Sequence, residues 1–115
     1  MWEEGRKNSG YYKWKIISFW FFDCYVLKFE TGSYIAPHVD DVKGKRHYRL
    51  NVILPINGFT GGEFKCTKYI VNKKYLKFFR PDIYNHSVSK IRSGTRYVLS
   101  IGWSLKYHWF YRSRT

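Results

Sequence analysis

A chain of 115 residues makes one domain with a single modest core. An apolar content of 44% and an aromatic content of 22% exclude a disordered chain. With 21 Lys+Arg against 8 Asp+Glu the net charge is +13, a field that favours polyanions or small anions steered into a cleft. The most apolar run, residues 16–22, is too short to span a bilayer, so no membrane partner is expected. Cys24 and Cys66 form no metal or redox spacing. With no secretory signal they read as free thiols of a soluble cytoplasmic protein.

Residues 1–10 show no periodicity and read as a loose start. Residues 11–30 are dense in aromatic and β-branched side chains, a composition that favours pleated sheet, although a short helix within residues 5–17 is also allowed. A turn at Thr31-Gly32-Ser33 leads into a strand from Tyr34 to about Val39, which Pro37 confines to an edge or ends. A charged loop, 41–46, precedes the clearest strand, 47–56. The cluster at 57–62 reads as a turn, followed by strands at 63–71 and 75–79, a break at Arg80-Pro81-Asp82, and a short extended piece at 85–91. Arg92-Ser93-Gly94 turns into a last strong strand at 96–105, and the basic, aromatic tail 106–115 is ambiguous. About eight short strands at intervals of roughly 8–12 residues predict an all-β domain, a sandwich, jelly roll or barrel, spanning residues 1–115.

His38 and Asp40 stand one residue apart at the end of a strand. Positions i and i+2 share a face, so imidazole and carboxylate can converge on one point. That nitrogen–oxygen pair suits ferrous iron, given a second imidazole. His86 follows 48 residues later, where the apolar pattern resumes, and Arg96 opens the last strong strand. Taken singly, each has a plainer reading: a surface loop for His38 and Asp40, a backbone-satisfied histidine for His86, one of many solvated cations for Arg96.

In order, the motifs are His38-x-Asp40, Gly61-Gly62-Glu63-Phe64, Phe78-Phe79-x-Pro81, His86-Ser87-Val88 and Gly94-x-Arg96-Tyr97-x-Leu99-x-x-x-Trp103. Together they resemble the 2-oxoglutarate- and Fe(II)-dependent dioxygenases, nearest their prolyl-hydroxylase-like branch, over roughly residues 26–103. The resemblance implies a double-stranded β-helix (jelly roll), with His38, Asp40 and His86 on Fe(II) and Arg96 on the C5 carboxylate of 2-oxoglutarate. Two family features depart. Where many members carry a tyrosine for that carboxylate the matching residue is Pro55, and the serine two places beyond the arginine is Val98. Asn51 or Tyr34 are candidates to replace the lost contact. Ser100 shares the face of Arg96 further along. Glu63 is assigned to the turn, His47 and His108 to the surface, and the Trp and Tyr residues mainly to the core.

The resemblance implies a hydroxylase consuming 2-oxoglutarate and dioxygen and releasing succinate and carbon dioxide, with ascorbate as a candidate reductant. Its expected substrate is a prolyl or other residue of a peptide or protein. The net charge argues for an acidic segment or, alternatively, nucleic acid, drawn by Lys43, Lys45, Arg46 and Arg49. Loop 41–46 and segment 11–20 are the candidate substrate contacts. The rivals are an oxygenase-like domain that binds metal without turnover and a non-enzymatic basic β-domain that binds nucleic acid through cations and aromatic faces.

Overall fold

The computed structural model describes residues 2–5, 10–40, 44–56 and 58–106. Among them it forms twelve strands: β1 (Trp2–Glu4), β2 (Tyr11–Phe19), β3 (Phe22–Phe29), β4 (Ile35–His38), β5 (Lys45–Leu54), β6 (Phe59–Gly61), β7 (Phe64–Cys66), β8 (Val71–Lys73), β9 (Leu76–Phe79), β10 (His86–Val88), β11 (Ile91–Gly94) and β12 (Arg96–Lys106). A seven-stranded sheet runs β1-β2-β3-β12-β5-β9-β8, and a smaller one runs β4-β10-β7. β6 and β11 pair separately. Every ladder among the described residues is antiparallel. From β3 onward the chain alternates between the large and small sheets, a winding compatible with the expected jelly roll.

Several local expectations are corrected. No helix occurs among the described residues, and the region allowed one holds β2, because aromatic and β-branched side chains pair readily across β3. The apparently loose start contains β1, whose Trp2 packs edge-on against Trp14 at 5.5 Å. The dense stretch 11–30 is a hairpin turning at Trp20-Phe21, residues that carry no usual turn signal. Two stretches read as turns, around residues 59–61 and 91–94, pair with each other as β6 and β11. No helix among the described residues is long and apolar enough to cross a membrane.

The large sheet separates two faces by its pleat. Its inner rows run Tyr11–Phe29–Arg96, then Lys13–Leu27–Val98–Ile53, then Tyr25–Ser100–Asn51, then Asp23–Gly102–Arg49–Phe79. Phe29, Phe79, Ile91 and Val98 are each 1% exposed, and Ile53, Phe64 and Val88 join them to make the core. Phe79 of the large sheet meets Phe64 of the small sheet with ring centres 4.8 Å apart. The outer rows are Tyr12–Lys28–Tyr97–Leu54, Trp14–Val26–Leu99–Val52–Leu76, Ile17–Cys24–Ile101–Leu50–Phe78 and Phe19–Phe22–Trp103–Tyr48. Replacing Phe79 with Ala removes the bridge between the sheets. Urea denaturation should show a loss of about 3–5 kcal/mol.

Candidate metal centre and anion pocket

β4 pairs with β10 so that His38 stands directly opposite His86. Their ring centres are 4.3 Å apart. Just beyond β4, Asp40 is held by its backbone N–H donating to the Pro81 carbonyl at 2.7 Å. One carboxylate oxygen then lies 3.3 Å from His38 Nε2 and the other 3.3 Å from His86 Nε2. Ligand atoms of all three residues fall within 4.8 Å of one another.

The second ring nitrogens fix which atoms the imidazoles turn toward the cluster. His38 Nδ1 lies 2.7 Å from the Ala36 carbonyl and His86 Nδ1 lies 3.0 Å from the Tyr84 carbonyl. A carbonyl only accepts, so each Nδ1 carries the hydrogen and donates. In the neutral rings both Nε2 lone pairs therefore face a carboxylate that also only accepts. Two ring nitrogens and the carboxylate oxygens thus converge on one point, an arrangement that suits a cation. Backbone-oriented imidazoles are how protein metal ligands are fixed, and two nitrogens with one oxygen suit Fe(II) while leaving coordination positions open.

The cluster opens into a cavity of about 300 Å³. Arg96 also lines it, only 2% exposed, with its guanidinium 4.9 Å over the Phe29 ring. Among the described residues no carboxylate pairs with it. Burial lowers its pKa to about 10, so it remains a cation at neutral pH. A buried cation lacking a carboxylate in a cavity is a seat for an anion.

Asn51 lines the same cavity and is buried. Ser100 donates to its Oδ1 at 2.6 Å, leaving the amide hydrogens as donors on the cavity side. Tyr34, in contrast, is 41% exposed and lies outside this cavity, along a shallow groove beside Pro37 and Lys90. The pleat turns it away from the inner face. Tyr11, Tyr25 and Lys13 line the cavity instead. Tyr11 and Lys13 belong to the segment 11–20 expected to contact substrate, whereas Tyr25 was missed because hairpin β2–β3 could not be placed against β4 and β10 from the sequence.

A second polar network was also missed. Arg49 bonds Asp23 through Nη2 at 2.8 and 3.0 Å and Ser100 Oγ through Nη1 at 2.7 Å. Asp23 and Arg49 flank Gly102 on either side of β12, and their pair crosses above it. A Cβ at Gly102 would sit 2.8 Å from Arg49 Cζ and 3.0 Å from an Asp23 oxygen, so only glycine leaves room. Arg49 is therefore committed within the fold, which corrects its assignment as a free attracting charge. Lys43 and His108 lie outside the described residues, as does most of the tail 106–115.

His47, expected at the surface, is 9% exposed. It sits on the inner face of β5, where Nδ1 lies 2.8 Å from Ser104 Oγ and Arg49 donates to Nε2 at 3.2 Å. Burial and the Arg49 charge push its pKa below the usual 6.5. A base with a depressed folded pKa disfavours protonation of the native state. Its contribution to stability is complete above pH 6.5 and lost as pH falls below it. Replacing His47 with Gln should flatten the acid limb of stability against pH by up to about 1.4 kcal/mol per pH unit, measured by urea unfolding across that range.

No family model and no curated protein matches the chain. Among solved structures it is similar to a chain in the crystal structure of Rhodobacter sphaeroides SigE in complex with the anti-sigma ChrR. The TM-score is 0.50 at 11% identity, covering 89% of this chain and 47% of that chain. The chain thus spans under half of that neighbour's length, and at this identity the likeness concerns the fold alone.

Proposed function

We propose that the chain is a 2-oxoglutarate- and Fe(II)-dependent dioxygenase that hydroxylates a C–H bond in a peptide or protein. The observation that carries this reading is the convergence of His38, Asp40 and His86 in one cavity with the buried cation Arg96. A metal site alone has many uses. Joined to a deep anion seat it fits a cosubstrate with a chelating end and a second carboxylate.

The three ligands would hold the iron, which when bound supplies the activation of dioxygen and the oxidation of the cosubstrate and target carbon. The chain's own residues do the rest. Arg96 pairs with the far carboxylate, and its pairing oxygens replace the water it lost on burial. The Asn51 amide offers hydrogen bonds to cosubstrate oxygens. Phe64, Phe79 and Val88 keep water from the inner wall. A cavity of about 300 Å³ stands at the lower end of small-molecule pockets, so the cosubstrate fills the interior and the target residue enters at the mouth. Tyr11 and Lys13, from the segment expected to contact substrate, line that cavity. Of the cations expected to draw nucleic acid, Arg49 is paired with Asp23 and Arg46 stands on the outer side of β5.

Anaerobic addition of Fe(II) and 2-oxoglutarate should give the weak visible charge-transfer band, and air with a substrate peptide should release succinate. With neither signal in the wild type, the proposal fails. Asp40→Ala should lower Fe(II) affinity by more than about 100-fold while far-ultraviolet circular dichroism stays unchanged, since loss of even an outer partner costs 10–100-fold.

Arg96 gives a prediction with a worked sign. Its charged form is disfavoured by burial, so it subtracts from stability at neutral pH, and this penalty fades as pH rises through about 10. Arg96→Met should therefore raise stability without ligand by on the order of 1–3 kcal/mol, as replacing buried charges with apolar groups often does. The same change should abolish stabilisation by added 2-oxoglutarate in urea titrations.

A further inference from the structure

The outer face of the large sheet is as apolar as an interior. Antiparallel sheets with one solvated face alternate apolar and polar residues along each strand. Here the second and third outer rows contain no charge from β2 to β9. The fourth adds a chain of rings, with Phe19–Phe22 at 5.5 Å, Phe22–Trp103 at 6.1 Å and Trp103–Phe78 at 6.1 Å. Trp14, Ile17 and Phe19 remain 43%, 45% and 41% exposed. Among the described residues of the strands, charges on this face stand only at the margins, on Glu4, Lys28, Arg46 and Lys73. An apolar centre with a charged rim is the anatomy of a protein interface.

We propose that this face is covered by a second copy of the same chain, two large sheets packing face to face about a two-fold axis. Size favours this occupant. The seven strands of the large sheet hold 48 residues at a rise of about 3.4 Å and a spacing of about 4.8 Å, so the face presents on the order of 800 Å². A stable interface needs roughly 800 Å² per partner. Shape favours it as well, because two sheets pack face to face with their inner side chains interdigitating. Two-fold pairing also lays the apolar rows of one copy on those of the other, and leaves the like-charged margins at the rim, where solvent screens them. The metal cluster and Arg96 belong to the opposite side of the sheet, so assembly leaves the cavity accessible and does not depend on the activity proposed above.

Cys24, in the third outer row, reports on the pairing without disturbing it. In a Cys66→Ser background of the full chain, sedimentation velocity should give a particle of twice the 14.0 kDa chain mass at micromolar concentrations. The reaction of Cys24 with a thiol reagent should slow at least tenfold as concentration rises through the dissociation constant. Leu99→Lys with Ile101→Glu should yield a monomer whose Cys24 reacts at one rate at all concentrations. A wild-type monomer, including one that instead binds anionic vesicles, overturns the proposal. So does a dimer whose Cys24 rate is independent of concentration, since that dimer uses another face.

Discussion

The register of β12 is the constraint on which the rest of the molecule depends. The strand is hydrogen-bonded on both sides, pairing residues 96–103 with β3 and 97–106 with β5. Its inward residues are Arg96, Val98, Ser100 and Gly102, which supply the anion seat, a core contact, a link to Asn51 and the gap over which Asp23 meets Arg49. Its outward residues are apolar. A slip of one residue would exchange these sets, placing leucine, isoleucine and tryptophan in the cavity and a guanidinium on the apolar face. The cost of that exchange fixes the register, and with it the cavity.

The small sheet has the complementary task. It contributes little apolar area, yet its β4–β10 pairing sets the two imidazoles opposite each other and the Pro81 carbonyl anchors the residue that completes the group. Backbone carbonyls take the Nδ1 hydrogens, so the polarity of the cluster follows from main-chain geometry. Phe79 and Phe64 lie 5.4 and 6.3 Å from the His86 ring, which ties the packing between sheets to the position of that imidazole. Burial then acts differently on the cations. Among the described residues Arg96 has no carboxylate partner, whereas Arg49 has Asp23 and two further acceptors.

The chain by itself determined the all-β class, through its aromatic and β-branched runs, and brought forward the pair His38 and Asp40, but Asp40 lies just beyond β4 and takes its place from the bond to the Pro81 carbonyl. Ordered motifs also brought His86 and Arg96 forward. Sequence could not decide what depends on contacts far apart in the chain. The turn at Trp20-Phe21 has no local turn chemistry and exists because β2 and β3 match as partners. The strands β6 and β11 look like turns until each is seen to complete the other. His47 reads as a surface residue because it matches no family motif, and its burial on the inner face of β5 beside Arg49 and Ser104 shows only once the strands are paired. Tyr34 and Tyr11 could be told apart only once the pleat and the hairpin were placed, since a tyrosine's use depends on the face it occupies. Local periodicity is written in neighbouring residues, but a cavity is made by side chains from strands that meet only when the sheets close.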